Sequence, residues 1–242
     1  MMRQTMLAVA TAAAIGAGGA MAMNAAQTAP RVELASNFTE QAQLAPERIV
    51  IGLDISRSNP LVADPAFAAK VGARIADEIR KLGFASEVHV RTLGNYDASS
   101  NAFYYDAVLS VHSRPENVAD EVDKLVSGTP LLVRSGKWKA QGHTNILAFL
   151  DNVSQSIGCS GMPTTIILAS DGIEDSEYAH LARTNSHLPA PDAHEFSGCA
   201  KLEILGLGQG TRSPVETVRL RKEWTGWAKA AGFKEFQGLN DW

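Results

Sequence analysis

Ile49-Val50-Ile51-Gly52-Leu53-Asp54-Ile55-Ser56-Arg57-Ser58 decides how this chain is read. Ile49 to Leu53 is an unbroken apolar run, the pattern of a strand buried on both faces. It gives way to Asp54, Ser56 and Ser58, all hard oxygen donors. A second run, Thr164 to Ala169, gives way in the same manner to Ser170-Asp171-Gly172. Two buried strands that each end at an aspartate place both carboxylates at the carboxyl edge of a sheet, where open α/β folds bind ligands.

The periodicity around these runs supplies the other elements. From Asp64 onward, Phe67, Val71, Ile75, Ile79 and Leu82 recur at helical spacing, and Gly83 stops the helix. Glu87 to Leu93 alternates as a strand, and Phe103 to His112 is its expected hairpin partner. Pro115 opens a helix that reaches Val126, with Val118, Val122 and Leu125 on one face. Residues 127–144 form a long connection holding Leu131-Leu132-Val133 and Lys137-Trp138-Lys139. Asn145 to Ile157 is helical with Ile146, Leu150 and Val153 inward. The polar stretch 172–198 supports only a short helix around Ser176–Thr184. Leu202 to Leu207 is a strand, and Pro214 to Ala231 a helix with Val218, Trp224, Trp227 and Ala231 inward. Phe233 to Phe236 is a last edge strand. Strands alternating with helices predict an α/β fold, doubly wound, its mostly parallel sheet covered by helices on both faces.

At 242 residues, 45% hydrophobic and 20% charged, the chain suits one such domain with a tail. A net charge of -4 argues against general nucleic-acid or anionic-membrane binding. Residues 1–22 resemble a secretory signal: Arg3 gives a positive start, Leu7 to Ala20 is apolar, and Ala20-Met21-Ala22 fits the cleavage rule. That stretch is short of the roughly 20 residues a membrane span needs, and no second one follows. Residues 23–46 are expected to be a flexible arm and 47–242 the folded domain, periplasmic or secreted after export. Cys159 and Cys199 each lie just ahead of an expected strand. In an exported chain they invite a disulfide, with two buried thiols as the alternative.

Asp54-x-Ser56-x-Ser58, a lone Thr144 ahead of a helix, and Ser170-Asp171-Gly172 after a strand occur in the order of the metal-ion-dependent adhesion site of the von Willebrand factor type A (vWA) domain. The chain resembles that family over residues 47–238. The resemblance implies a Rossmann-like vWA fold and a site for Mg²⁺, with Mn²⁺ or Ca²⁺ as substitutes. It implies that Ser56 and Ser58 bind the ion directly, and Thr144 directly or through water. Asp54 and Asp171 are then expected to act mostly through water. A partner protein would offer an Asp or Glu carboxylate to the open position. The donor chemistry agrees, because a small divalent cation takes about six oxygens, few of them carboxylates, and keeps waters.

Other signals are weaker. Single aspartates also cap helices, the alternative role for Asp54 and Asp171. Gly206-Leu207-Gly208-Gln209-Gly210 lacks both dinucleotide spacing and a P-loop Lys, and is expected to be a strand-exit loop. His180, His187 and His194 recur at steps of seven beside Glu177, Asp192 and Glu195, which is not zinc-ligand spacing. Arg57, Arg134, Lys137 and Lys139 with Trp138 suit either the rim of an acidic-peptide site or an ordinary charged loop. A metal-dependent hydrolase of phosphate esters would need a base near the ion, and His143 is the one uncommitted neighbour. A structural subunit of an envelope or secretion assembly, its metal site vestigial, is the third reading.

Overall fold

The structure is a computed structural model, and it describes residues 41, 43–94, 103–211 and 213–242. The described strands are β1 Arg48–Asp54, β2 Glu87–Leu93, β3 Tyr104–Val108, β4 Thr164–Ala169, β5 Cys199–Leu205 and β6 Glu235–Leu239. The described helices are α1 Pro60–Ala63, α2 Pro65–Arg80, α3 Pro115–Ser127, α4 Thr129–Arg134, α5 Ile146–Ser156 and α6 Pro214–Ala231. The strands form one sheet in the order β3-β2-β1-β4-β5-β6. Every neighbouring pair is parallel except β2 with β3, the antiparallel hairpin that the sequence predicts.

The chain winds outward from β1 to β2 and β3, then crosses back to the other side of β1 and continues through β4, β5 and β6. The order therefore reverses between β1 and β4, and a doubly wound sheet opens its ligand crevice at that point. Arg48 pairs with Thr164 and Leu53 with Ala169, so Asp54 and Ser170 leave the sheet side by side.

Both faces of β1 are covered, which is why its sequence is continuously apolar. Ile49, Ile51 and Leu53 share a core with Val71 and Ile75 of α2 and Val122 of α3. Val50 lies in the opposite layer with Leu150 of α5 and Trp224 of α6. Gly52 marks the closest helix approach: a Cβ there would lie 2.8 Å from Leu168 Cδ2 and 2.9 Å from the Phe149 ring. This is the doubly wound α/β architecture expected from the sequence.

Several local expectations are corrected. The 127–144 connection contains α4, which Pro130 starts just after Gly128 ends α3. No helix occurs at 176–184. There the Ser176 hydroxyl accepts from Tyr178 N and the Ser186 hydroxyl from His180 N, and such side-chain bonds compete with helix formation. β3 stops at Val108, because the Ser110 hydroxyl accepts from His112 N and Ser113 N and turns the chain. β5 begins at Cys199 rather than Leu202. Val218 is 61% exposed rather than inward, and Leu220 fills the buried position. Trp138 is no surface anchor: it is buried, its ring 5.5 Å from that of Phe103.

Cys159 and Cys199 form a disulfide with Cα atoms 5.0 Å apart. Cys199 pairs with Thr164, the first residue of β4, so the bridge sits at the amino ends of the strands. The expected leader and most of the expected arm lie outside the described residues. Within the described part of that arm, the Gln41 carbonyl accepts from Phe84 N at 3.1 Å. No helix among the described residues is long and apolar enough to cross a membrane.

Candidate metal centre

Asp54 is the last residue of β1 and is fully buried. Its Oδ1 accepts from Ser56 N at 2.9 Å and its Oδ2 from the Ser170 hydroxyl at 2.7 Å. The first bond closes an Asx turn, a local device that bends the chain sharply out of the sheet. It brings the hydroxyls of Ser56 and Ser58 to 3.5 Å from each other, with Ser56 buried and Ser58 exposed. Asn59 completes the turn from below. Its amide donates to the carbonyls of Asp54 at 3.0 Å and Ala169 at 3.1 Å, tying the two strand ends together. Its carbonyl oxygen accepts from Leu61 N and caps α1.

Asp171 follows β4 and is also buried. Its Oδ1 accepts from Ile173 N at 2.9 Å, and among the described residues no donor reaches its other oxygen. The backbone around it is held from several sides. Ser170 N donates to Leu205 O, Gly208 N donates to Asp171 O at 2.8 Å, and Trp224 Nε1 donates to Gly172 O at 2.8 Å. The glycine-rich loop after β5 is thus the strand-exit loop expected, and it buttresses Asp171.

Thr144 arrives from a different part of the chain. Gln141 is stitched to the serine turn through Arg57 N to Gln141 O and Gln141 N to Ile55 O. Thr144 and Asp175 exchange both backbone bonds, at 3.3 and 2.9 Å. Thr144 is buried. The loop that carries it is therefore fastened to the Ser56 turn on one side and to the β4 exit on the other. Glu174, which the sequence reading passed over, is fully buried here too. It accepts from Ile146 N at 2.8 Å, Leu147 N at 3.2 Å and the Ser176 hydroxyl.

Burial dominates the electrostatics. It raises the Asp54 carboxyl above its ordinary value against hydrogen bonds from Ser170, Ser56 and Asn59. It pushes Asp171 up to about 7, with the charge of Asp54 adding to the effect. Glu174 also rises to about 7 through burial, opposed by its hydrogen bonds and reinforced by Asp54. Among the described residues no ion pair joins a Lys, Arg or His to any of the three. An uncompensated buried charge is expensive, and these carboxyls shift toward their neutral form accordingly.

The residues fit a hard divalent ion and not zinc. Among the described residues no group of three or more His, Cys, Asp or Glu is placed to hold a metal ion. His180 pairs instead with Asp175 at 2.7 Å and His187 with Glu223 at 2.8 Å. The donors are hydroxyls and carboxylates, the set that suits Mg²⁺, Mn²⁺ or Ca²⁺. Arg57 is exposed beside Ser58, and Arg134, Lys137 and Lys139 are exposed as well.

Three supports escaped the sequence reading: the Ser170 hydroxyl, Asn59 and Glu174. Asn59 ahead of Pro60 carries a helix-start signal that could have drawn attention to it. Ser170 lies inside a motif already singled out. Glu174 carries no local signal.

No family model matches the chain, and no curated relative does. Among solved structures it is similar to proximal thread matrix protein 1 from the mussel byssus, at 13% identity over 81% of this chain and 44% of that one, TM-score 0.44. It is similar to the pilus adhesin SpaC from Lactobacillus rhamnosus GG, at 20% identity over 55% of this chain and 16% of that one, TM-score 0.35. An aerotolerance-related membrane protein from Bacteroides fragilis NCTC 9343 aligns at 14% identity over 81% of this chain and 92% of its own, TM-score 0.42. The chain thus spans less than half the length of the first two.

Proposed function

We propose that this is a vWA-like interaction domain that binds a divalent cation, Mg²⁺ by preference, at the carboxyl ends of β1 and β4, and through it a carboxylate of a partner protein. One observation carries the reading: the carboxyls of Asp54, Asp171 and Glu174 are buried, the charge of Asp54 raises the other two, and they lie beside paired serine hydroxyls with no ion-pair partner among the described residues. A bound ion would supply a Lewis-acidic position open to an oxygen anion from outside.

The chain's residues do the remaining work. Ser56, Ser58 and Thr144 would hold the ion through hydroxyls. Asp54 has both oxygens engaged by protein donors, so it orients the serine turn and any bound water. Asp171 keeps one oxygen available. A site with so few direct negative ligands retains positive character and favours an anionic partner. The exposed Arg57 beside Ser58 adds to that preference. The disulfide suits an oxidising compartment and supports a periplasmic or secreted location.

The test is affinity capture with the wild type and Asp54→Ala, with Mg²⁺ and with EDTA. The reading expects a partner retained by the wild type in Mg²⁺ alone. Equal capture by the variant, or by either protein in EDTA, overturns it.

A further inference from the structure

Glu174 is a buried carboxyl to which the proposed ion site assigns no task, and its contacts point elsewhere. It is fully buried, and its side chain accepts from Ile146 N and Leu147 N, just beyond Thr144, and from the Ser176 hydroxyl of its own loop. The first amides of α5 can be accounted for one by one. Ile146 N and Leu147 N donate to Glu174 Oε2. Ala148 N donates to the Asn145 side chain at 3.0 Å and Phe149 N to the Asn145 carbonyl at 3.3 Å. Half of the helix cap is therefore supplied in trans, by the loop that follows β4. The next residue in that loop, Asp175, exchanges both of its backbone bonds with Thr144.

We infer that Glu174 is the positioning residue that fixes Thr144 against Asp171. Thr144 is held at its own backbone by Asp175 and, two and three residues on, by the Glu174 carboxylate. The segments 171–176 and 144–147 then behave as one unit. Moving Thr144 relative to Asp171 would break two hydrogen bonds to Glu174 Oε2 and leave that acceptor unsatisfied away from water. The geometry of the site is thereby set before any ion arrives. The consequence for ion affinity rests on the ion-site reading above; the positioning role itself rests on the hydrogen bonds.

The experiment uses the full chain, with Glu174→Ala and Glu174→Gln. One carbonyl oxygen of Gln accepts both amides as Oε2 does, so Gln keeps the geometry and removes the charge. Two quantities are measured: amide hydrogen exchange in the metal-free protein and Mg²⁺ affinity by calorimetry. In Glu174→Ala, the amides of Thr144, Ile146 and Leu147 should exchange at least about tenfold faster, while those of Ile51 and Ile167 keep their rates. Its Mg²⁺ affinity should fall by about 10- to 100-fold, the range for residues that orient ligands from behind. Glu174→Gln should stay within about threefold of the wild type in both. Where Glu174→Ala does not fold, Glu174→Asp, too short to reach both amides, replaces it with the same expectations. Unchanged exchange at Thr144, unchanged affinity with altered exchange, or a Gln variant as impaired as Ala each overturns the inference. A wild type that takes up no Mg²⁺ ends the ion-site reading, and Thr144 exchange then decides the positioning role alone.

Discussion

Between pH 5 and pH 7 the metal-free protein should lose stability as the pH rises, and a divalent cation should abolish that loss. The Asp171 carboxyl titrates near 3.8 in the unfolded chain and at about 7 in the folded one. Over the interval between, the native state holds a proton that the unfolded state has released. Stability then falls with rising pH, because the native state binds more protons. The contribution is fully present below about pH 4 and is lost as the pH passes 7. Each pH unit well inside that window costs about 1.4 kcal/mol and the slope tapers as the pH reaches the folded value, so Asp171 alone accounts for about 2 kcal/mol between pH 5 and pH 7. Glu174, raised to about 7, acts in the same direction. The carboxylates held low, such as Glu87 beside Arg48 and Asp106 beside His89 and Arg91, act in the opposite sense but below pH 5. The assay is urea denaturation in EDTA at pH 5, 6, 7 and 8, with the wild type and Asp171→Asn. The Asn variant should be flatter by about 2 kcal/mol over the first two units. Saturating Mg²⁺ should flatten the wild type too, because an ion at the site lets the carboxylates ionise without penalty. A wild type whose stability is level or rising over this range in EDTA refutes the electrostatic argument, as does an Asn variant that keeps the full slope.

Asp54→Asn retains an acceptor for Ser56 N and removes the charge; the variant should fold yet show none of the ion-induced stabilisation. The wild type should gain about 2.7 kcal/mol at a hundredfold excess over its dissociation constant, read as a thermal shift. Replacing both Cys159 and Cys199 by Ser opens a loop of 40 residues, and the chain-entropy argument puts the loss near ~4 kcal/mol in a guanidinium titration. Mg²⁺ affinity should stay unchanged in that variant, since the bridge lies at the other end of the strands. Gly52→Ala should destabilise by about 1–3 kcal/mol, because the added methyl meets Leu168 and Phe149 below normal contact distance. Phe149→Leu in the same chain should recover part of that loss.

Much of the architecture was legible because two-sided burial writes itself directly into sequence. β1 and β4 are uninterrupted apolar runs, and α2 repeats its apolar residues every three or four positions. The serine turn was legible for a related reason. The bond from Ser56 N to Asp54 spans two residues, so the residues that make it are neighbours in the chain. The errors fall where local pattern and tertiary contact part company. Val218 fits the helical period of α6, yet it stays exposed. The 176–184 segment has a helix-like composition, but Thr144 claims the backbone of Asp175 before a helix can.

The sequence by itself determined the α/β class, the parallel core and the presence of oxygen donors at two strand ends. Only the tertiary structure decided how those ends are joined and what charge they bear. Asn59 reaches a carbonyl 110 residues away, Ser170 a carboxylate 116 residues away, and Glu174 the amides of a helix that begins 28 residues before it. Desolvation and long-range hydrogen bonding depend on what lies beside a group in space, and a chain records only what lies beside it in order.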